Sequence, residues 1–285
     1  MLLVPGPRSP LLGDRLARAL GWPAATVEHK EFPDGEQYVR VRGDVRGKDV
    51  AIVQTTWPND SLIALLLLQD AVRRLGARRI TVVVPYFAYA RQDRTFHEGE
   101  PVSAEAVLRL IAENADRVVT VDLHRPASLN VLKAETANVS AVPAIADYFR
   151  ALAPQVVLAP DKNALDRATA CARELGAEVD HLVKKRIAPE VVEIQTHELD
   201  VKDKRVLIVD DIISTGGTMM AAAQELKRQG ATAVSAACTH GLFAPGALDK
   251  LRAAGLEQTV STDTIEGPAS AVSVAGELAK VLRAR

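Results

Sequence analysis

Two adjacent carboxylates followed by a glycine-rich turn are the residues of this chain best suited to chemistry. They lie in the segment RVLIVDDIISTGGT, residues 205–218, where Asp210 and Asp211 follow an apolar run that predicts a buried strand. The backbone N–H groups and hydroxyls of such a turn can hold a phosphate at the start of the next helix. The acids can hold hydroxyls or a metal ion beside it. A sugar phosphate presents both kinds of group, so the segment predicts a sugar-phosphate site.

An ordinary strand–turn–helix with a Ser or Thr cap would explain the turn, but it needs neither the double acid nor the double glycine. The segment resembles the ribose-5-phosphate/PRPP-binding loop of type I phosphoribosyltransferases and of PRPP synthetases (ribose-phosphate pyrophosphokinases). The resemblance implies that Asp210 and Asp211 bind ribose hydroxyls. It also implies that the 5-phosphate is held by the turn residues Ser214, Thr215, Gly216, Gly217 and Thr218. The loop alone does not separate the two families.

A second segment favours one of those families. Residues 85–105 read PYFAYARQDRTFHEGEPVSAE, and Arg91, Gln92 and Arg94 offer donors suited to phosphates and a purine edge. A solvated charged loop is the usual meaning of such a run. The string YFAYARQDR, however, resembles the ATP segment of PRPP synthetases, which phosphoribosyltransferases lack. This resemblance implies ATP binding by Arg91, Gln92 and Asp93.

Acidic residues and a histidine follow two other predicted strands. RVVTVDLH carries Asp122 and His124, and APDKNAL carries Asp161. A lone histidine at a strand end is more often structural than a ligand. The family resemblance implies a metal site made by Asp122, His124 and Asp161, with His124 also at the nucleotide. No Cys/His cluster suggests zinc, whereas oxygen ligands and phosphates favour Mg²⁺.

Two turns complete the predicted site. In EFPDGE the resemblance implies that Phe32 stacks on the adenine of a neighbouring subunit while Asp34 and Glu36 bind its polar edges. The alternative is a β-turn with Phe32 buried. In KKRI, after a predicted strand 178–183, the resemblance implies a mobile loop with catalytic Lys184 and Arg186, and Lys185 remains open as the working lysine. Sites shared between subunits would require a homo-oligomer, a dimer or a hexamer.

The chain also contains an internal repeat. Matching residues lie 152–156 positions apart and keep their order: Pro5 and Pro160, Leu20-Gly21 and Leu175-Gly176, Val27 and Val179, Lys48 and Lys204, Ile52-Val53 and Ile208-Val209. In the N-terminal copy QTTWPNDSL, residues 54–62, replaces the acid–glycine loop. That copy should therefore not bind a sugar phosphate in the same way.

Strands alternate with helices in each copy, which predicts an α/β fold with mainly parallel sheets flanked by helices. Predicted strands are 50–54, 79–85, 117–122, 156–160, 205–210 and 232–238, and predicted helices are 11–20, 61–75, 103–114, 143–152, 163–175, 217–229, 246–254 and 270–284. With the resemblance, this becomes two tandem type I phosphoribosyltransferase-like domains. We expect residues 1–143 on the ATP side and 144–285 with the sugar-phosphate loop.

Composition narrows the function classes. The net charge of −1 among 285 residues and the 4% aromatic content give no basis for nucleic-acid or membrane binding. Cys171 and Cys238 lie in apolar surroundings and are predicted core residues. The N-terminus has no signal-peptide pattern, and the apolar run 62–68 is too short for a membrane span. These features predict a cytoplasmic protein.

The resemblance covers nearly the whole chain, and the ISTGGT loop and GEP turn are most similar to the shorter archaeal-type enzymes. Ser214 stands where the loop commonly has a third Asp. The implied activity is transfer of pyrophosphate from ATP to O1 of ribose 5-phosphate, giving PRPP and AMP. The alternatives are a phosphoribosyltransferase that consumes PRPP and a non-catalytic regulatory paralogue.

Overall fold

The computed structural model describes residues 1–188, 191–195 and 200–284, and over 183–195 it describes the backbone alone. The chain divides into two compact units. Unit 1 contains Met1–Ser140, Thr264–Glu266 and Ser273–Arg285; unit 2 contains Ala141–Asp263 and Gly267–Val272. The end of the chain thus belongs to the same unit as its beginning. A single division after residue 143 stays a proposal.

The first 140 residues form seven strands and three helices. The strands are β1 (Leu2–Pro5), β2 (Thr26–Glu31), β3 (Gln37–Arg42), β4 (Asp49–Val53), β5 (Arg79–Val84), β6 (Arg117–Val121) and β7 (Glu135–Val139). The helices are α1 (Pro10–Leu20), α2 (Asn59–Arg74) and α3 (Ser103–Ala112).

The remaining residues that the structure describes form eight strands and five helices. The strands are β8 (Val156–Ala159), β9 (Glu178–His181), β10 (Val183–Ala188), β11 (Val191–Gln195), β12 (Arg205–Ile213), β13 (Ala233–Gly241), β14 (Gln258–Thr262) and β15 (Ser270–Val272). The helices are α4 (Val142–Phe149), α5 (Leu165–Leu175), α6 (Gly217–Arg228), α7 (Ala247–Ala253) and α8 (Ala275–Arg283), and α8 belongs to unit 1.

Each unit is built on a parallel sheet. Unit 1 has the order β1-β4-β5-β6-β7, and unit 2 has the order β15-β14-β13-β12-β8-β9. Strands such as DVAIV and RITVVV are apolar along nearly their whole length and buried, as expected when helices cover both faces of a parallel sheet. Each unit also has a separate antiparallel hairpin, β2–β3 in unit 1 and β10–β11 in unit 2. The predicted α/β class with two mainly parallel sheets is confirmed.

The repeat is visible in matching details of the two units. Helix α1 is followed by Gly21 at φ 67°, and helix α5 is followed by Gly176 at φ 68°. Glycine adopts this left-handed conformation without a steric penalty, which is why it ends helices. Both units run from strand to helix to hairpin to strand to helix, and unit 2 has one additional strand, β9, between α5 and its hairpin.

The structure corrects three predicted elements. The predicted helix 270–284 begins as strand β15, which pairs in parallel with β14, and becomes helical only at Ala275. Strand β12 extends beyond Asp210 to Ile213, because β13 pairs with it as far as Gly241. The predicted strand 178–183 ends at His181, and residues 183–188 form a new strand, β10. No helix in the described part of the chain is long and apolar enough to cross a membrane.

Candidate active site

The acid–glycine segment of unit 2 begins inside strand β12. Asp210 and Asp211 lie within the paired part of the strand, and α6 begins at Gly217. Gly216 has φ 78°, and a Cβ there would meet the Leu251 Cδ2 atom at 3.0 Å. Both the backbone conformation and the close packing therefore require glycine at this position.

The N-cap residue of α6 is Gly216, which has no side chain with which to cap the helix. A Ser or Thr cap, the ordinary explanation of this turn, is therefore not what the structure contains. The first N–H groups of a helix have no partner within the helix, and together with the helix dipole they favour an anion. This turn has the geometry of an anion site.

The two carboxylates are held by the local backbone. One oxygen of Asp210 accepts the Asp211 N–H at 2.8 Å, and one oxygen of Asp211 accepts the Ile212 N–H at 2.9 Å. Burial raises the pKa of Asp210 to about 7, and the neighbouring Asp211 carboxylate adds to the shift. A ligand that brings hydroxyl donors or positive charge would stabilise the ionised form of Asp210 and so lower its pKa again.

Sequence reasoning missed Arg167, on helix α5 of unit 2, whose charge acts on Asp210 and opposes that rise. A signal for it existed. Ala164, Ala168 and Cys171 are buried, and Arg167 lies between them at helical spacing, on the face that α5 turns to the core. A charged residue on an apolar helix face is informative, because such residues are almost never buried without a partner.

In unit 1 the predicted nucleotide segments are brought together. The Asp93 carboxylate pairs with the Arg125 guanidinium at 3.2 Å, which joins the loop after β5 to the loop after β6. The Gln92 side-chain oxygen accepts the Ser103 hydroxyl at 2.5 Å, at the first residue of α3. Arg91 is exposed.

Asp122 and His124 follow β6 in the same unit. Asp122 has φ 36° and is only 8% exposed, and its N–H donates to the Val139 carbonyl at 2.8 Å. A buried non-glycine residue in this conformation is strained, and such residues concentrate at functional sites. His124 is exposed.

Asp161 lies in unit 2, two residues after β8. Its Oδ1 atom accepts the backbone N–H groups of Asn163 and Ala164, at 3.0 and 3.3 Å, so it caps a short 3₁₀ turn. Within the residues that the structure describes, no three His, Cys, Asp or Glu side chains form a group able to hold a metal ion. A metal ligand set that includes Asp161 therefore stays a proposal.

The hairpin of unit 1 presents the predicted base-binding residues at its tip. Phe32 is 40% exposed, with the Lys30 Nζ atom 5.5 Å from its ring centre and Tyr38 packed edge-on against it. The alternative of a turn with Phe32 buried is wrong. Asp34 and Glu36 are exposed, and Asp34 Oδ1 accepts the Glu36 N–H at 3.1 Å.

The predicted catalytic residues lie in the other hairpin. The backbone of Lys184 and Arg186 belongs to strand β10, paired with Ile194 and Val192 of β11. The sequence predicted that these residues lie in a loop after the end of a strand, whereas the structure places them within a strand. Their side chains lie outside what the structure describes.

Comparisons with known proteins match each of the two parts of the chain to a sequence family. The sequence-family model described as the "N-terminal domain of ribose phosphate pyrophosphokinase" matches residues 1–114. The family model of the phosphoribosyl transferase domain matches residues 142–282. A ribose-phosphate pyrophosphokinase of Thermococcus kodakarensis is 46% identical, over 90% of this chain and 91% of its own length. One from Methanopyrus kandleri is 43% identical, over 95% and 94%.

A solved structure gives the same result. The crystal structure of phosphoribosylpyrophosphate synthetase from Mycobacterium smegmatis is 31% identical to this chain and has a TM-score of 0.86. The match covers 99% of this chain and 98% of that one. The chain therefore belongs to the ribose-phosphate pyrophosphokinase family of enzymes.

Proposed function

We propose that this chain transfers the pyrophosphoryl group of ATP to O1 of ribose 5-phosphate, which gives PRPP and AMP. The observation that carries this proposal is the glycine turn at the start of α6, which follows the half-buried Asp210 and the buried Asp211, in a chain that also has the family's N-terminal domain. A phosphoribosyltransferase would leave that N-terminal domain unexplained.

Unit 2 would hold the sugar phosphate. Asp210 and Asp211 accept hydrogen bonds from ribose hydroxyls, and the turn from Ser214 to Thr218 holds the 5-phosphate at the start of α6. The left-handed Gly216 supports this role, because it allows the tight turn that leads into the start of α6.

Unit 1 would hold the nucleotide. Arg91, Gln92 and Asp93 lie in one loop and His124 in the next, and the Asp93–Arg125 ion pair joins the two loops. Arg91 is exposed and permanently charged, as a phosphate contact must be.

Mg²⁺ fits the donors present. Asp122, His124 and Asp161 offer carboxylate and imidazole ligands, too few in any one described group to enclose an ion. Mg²⁺ usually takes only one or two protein carboxylates and completes its shell with waters and substrate phosphates. When bound, it would neutralise charge on the phosphates.

The reaction needs positioning more than covalent catalysis. The 1-hydroxyl of the sugar attacks the β-phosphorus of ATP in line, and AMP leaves. We propose that Lys184 and Arg186, on the β10–β11 hairpin, stabilise the charge that builds on the transferred phosphates.

We further propose a homo-oligomer, a dimer or a hexamer, with shared sites. The exposed Phe32 at the hairpin tip would stack on an adenine bound mainly by another subunit, with Asp34 and Glu36 at its polar edges. An inactive Phe32→Ala/Asp34→Ala protein mixed with an inactive His124→Ala protein should regain activity in hybrid oligomers. No recovery after demonstrated subunit exchange would contradict shared sites.

We place the enzyme in the cytoplasm. Cys171 and Cys238 are free and buried, and burial raises the pKa of Cys171 to about 12, so the thiol is inert. Unpaired structural cysteines suit a reducing compartment.

The activity is tested with ATP, Mg²⁺ and ribose 5-phosphate, scored for AMP and PRPP by chromatography. Equal amounts of AMP and PRPP are expected. Pyrophosphate release from PRPP with a nucleobase would indicate a phosphoribosyltransferase instead, and nucleotide binding without turnover would indicate a regulatory paralogue.

A further inference from the structure

In the part of the chain that the structure describes, Arg167 is half-buried and has one of two buried side-chain nitrogens without a hydrogen bond. Its Nε atom is buried and makes no hydrogen bond to any described residue. The buried Nε of Arg117 also lacks a hydrogen bond, but it lies 2.9 Å from a Glu135 carboxylate oxygen in an ion pair. No ion pair joins Arg167 to a described residue. Burying a polar nitrogen without a hydrogen bond costs free energy, so the position of the Arg167 side chain calls for an explanation in function.

The two residues on which the Arg167 charge acts lie side by side in the sheet of unit 2. Asp210 of β12 is in register with Cys238 of β13, and the Arg167 charge acts on both side chains. Arg167 therefore lies close to that pair of positions. Helix α5 packs against β8 and β12, and the 3₁₀ turn that directly precedes it also contacts β12, so the first turn of the helix lies near this strand.

The two acids need such a counter-charge. Two adjacent carboxylates repel each other, and burial together with the neighbouring Asp211 raises the pKa of Asp210. Only an ionised carboxylate accepts hydrogen bonds from sugar hydroxyls through both of its oxygens. A fixed guanidinium beside Asp210 favours that form without occupying the ligand's place.

We propose that Arg167 is a positioning residue that acts through Asp210, so that the carboxylate is ready to bind the ribose hydroxyls of the substrate. The proposal rests on the function proposed above. Arg167 would act from the core-facing side of α5, where its Nε atom is inaccessible to solvent.

The test uses Arg167→Met, which keeps the length of the side chain and removes the charge. Arg167→Lys is the conservative variant. Arg173→Met is the control, because Arg173 lies on the same helix and is exposed. The KM for ribose 5-phosphate, the KM for ATP and the yield of PRPP are measured for each folded protein, with folding checked by circular dichroism.

We expect Arg167→Met to raise the KM for ribose 5-phosphate about tenfold while the KM for ATP changes less than about twofold, a size typical of coupled charged neighbours. Arg167→Lys should recover part of the loss, and Arg173→Met should match the wild type. An unchanged sugar KM in Arg167→Met, with wild-type protein that makes PRPP, would overturn the inference. Wild-type protein that makes no PRPP would overturn the proposed function instead.

A double-mutant cycle separates positioning from direct contact. If Arg167 acts through Asp210, Arg167→Met should have no further effect on sugar binding in an Asp210→Asn background. Additive losses would show an independent role and contradict the proposal. Should Arg167→Met fail to fold, Arg167→Gln, which also removes the charge, takes its place in the cycle with the same outcomes.

Discussion

The same point of the repeated fold carries two buried neutral side chains in unit 1 and two carboxylates in unit 2. After β4, Gln54 and Thr55 stand where unit 2 has Asp210 and Asp211, and both are fully or almost fully buried. The Gln54 amide donates to the Ser61 carbonyl at 3.2 Å and accepts the Arg8 N–H at 3.1 Å. The unit 1 turn is thus closed by its own side chains.

Thr55 shows the same closure. Its hydroxyl donates to the Thr264 carbonyl at 2.6 Å and accepts the Tyr86 N–H at 3.2 Å. In unit 2 the corresponding acid, Asp211, accepts the Ile212 N–H of its own turn, and the N-cap residue of α6 is a glycine. Unit 1 uses these polar groups within its own fold; on our proposal, unit 2 uses its acids to bind the sugar.

The hairpins differ between the units as well. The unit 1 hairpin carries exposed Phe32, Asp34 and Glu36 at its tip. The unit 2 hairpin carries Lys184 and Arg186 within strand β10. On our proposal, one hairpin serves the base and the other the phosphates.

The largest expected effect comes from the unit 2 hairpin. Lys184→Ala should lower kcat by a factor on the order of 10²–10³, the usual loss when a donor to transition-state charge is removed. Both KM values should change little, because an interaction made mainly in the transition state contributes little to substrate binding. Steady-state kinetics with Lys185→Ala as the matched control would check this. A normal kcat in Lys184→Ala with a low one in Lys185→Ala would shift the assignment by one residue.

The next effect concerns the acids of unit 2. Asp211→Ala should raise the KM for ribose 5-phosphate on the order of 10- to 100-fold, since hydrogen bonds to a charged group are among the stronger ones. The KM for ATP should stay within about a factor of two. Kinetics with each substrate varied in turn measure both values. An unchanged sugar KM would defeat the assignment of the sugar site.

At the matching position in unit 1, Thr55, a substitution should lower the free energy of unfolding and leave sugar binding unchanged. Thr55→Val keeps the shape but leaves the Thr264 carbonyl and the Tyr86 N–H without their partner, which should cost about 1–3 kcal/mol of unfolding free energy. The sugar KM should not change. Urea unfolding would measure this, with Thr136→Val on exposed β7 as the control. A raised sugar KM without loss of stability would mean that unit 1 also binds the sugar.

The smallest effect is a dependence of stability on pH. The pKa of Asp210 is about 7 in the folded chain against an ordinary 3.8, so between these values the folded state holds a proton that the unfolded state lacks. Stability is therefore lost as pH rises from about 4 to about 7. Asp210→Asn removes this loss, and it should raise Tm by a few degrees at pH 8 and hardly at all near pH 4. Thermal melts at both pH values decide it; an equal shift at both would contradict the raised pKa.

The fold was largely predictable because the central strands are apolar along nearly their whole length. Where strands alternate with helices, runs such as VAIV and ITVVV are typical of buried parallel strands. The predicted bounds of these two strands agree with the structure within a residue or two. The β2–β3 hairpin was missed, because most of its side chains are exposed and it pairs outside the sheet. Strand β15 was missed because three residues give no period, and only pairing with β14 defines it.

The candidate site was predictable in its motifs and less so in its contacts. The acid–glycine turn was predictable because its residues are adjacent in sequence, and each residue type has its own role: the acids accept hydrogen bonds from hydroxyls and the glycine turn leads to the start of a helix. The ion pair of Asp93 with Arg125 and the position of Arg167 beside Asp210 join residues 32 and 43 positions apart, and no local pattern encodes them. Arg167 could have been suspected from its place on an apolar helix face, but its partner could not.

The central claim is that only unit 2 binds the sugar phosphate. Calorimetric titration of ribose 5-phosphate into the wild-type chain, Asp211→Ala and Thr55→Val tests it directly. We predict one site per chain in the wild type and in Thr55→Val, and strongly weakened binding in Asp211→Ala. Two sites per chain, or a site that survives Asp211→Ala and is lost in Thr55→Val, would contradict the account.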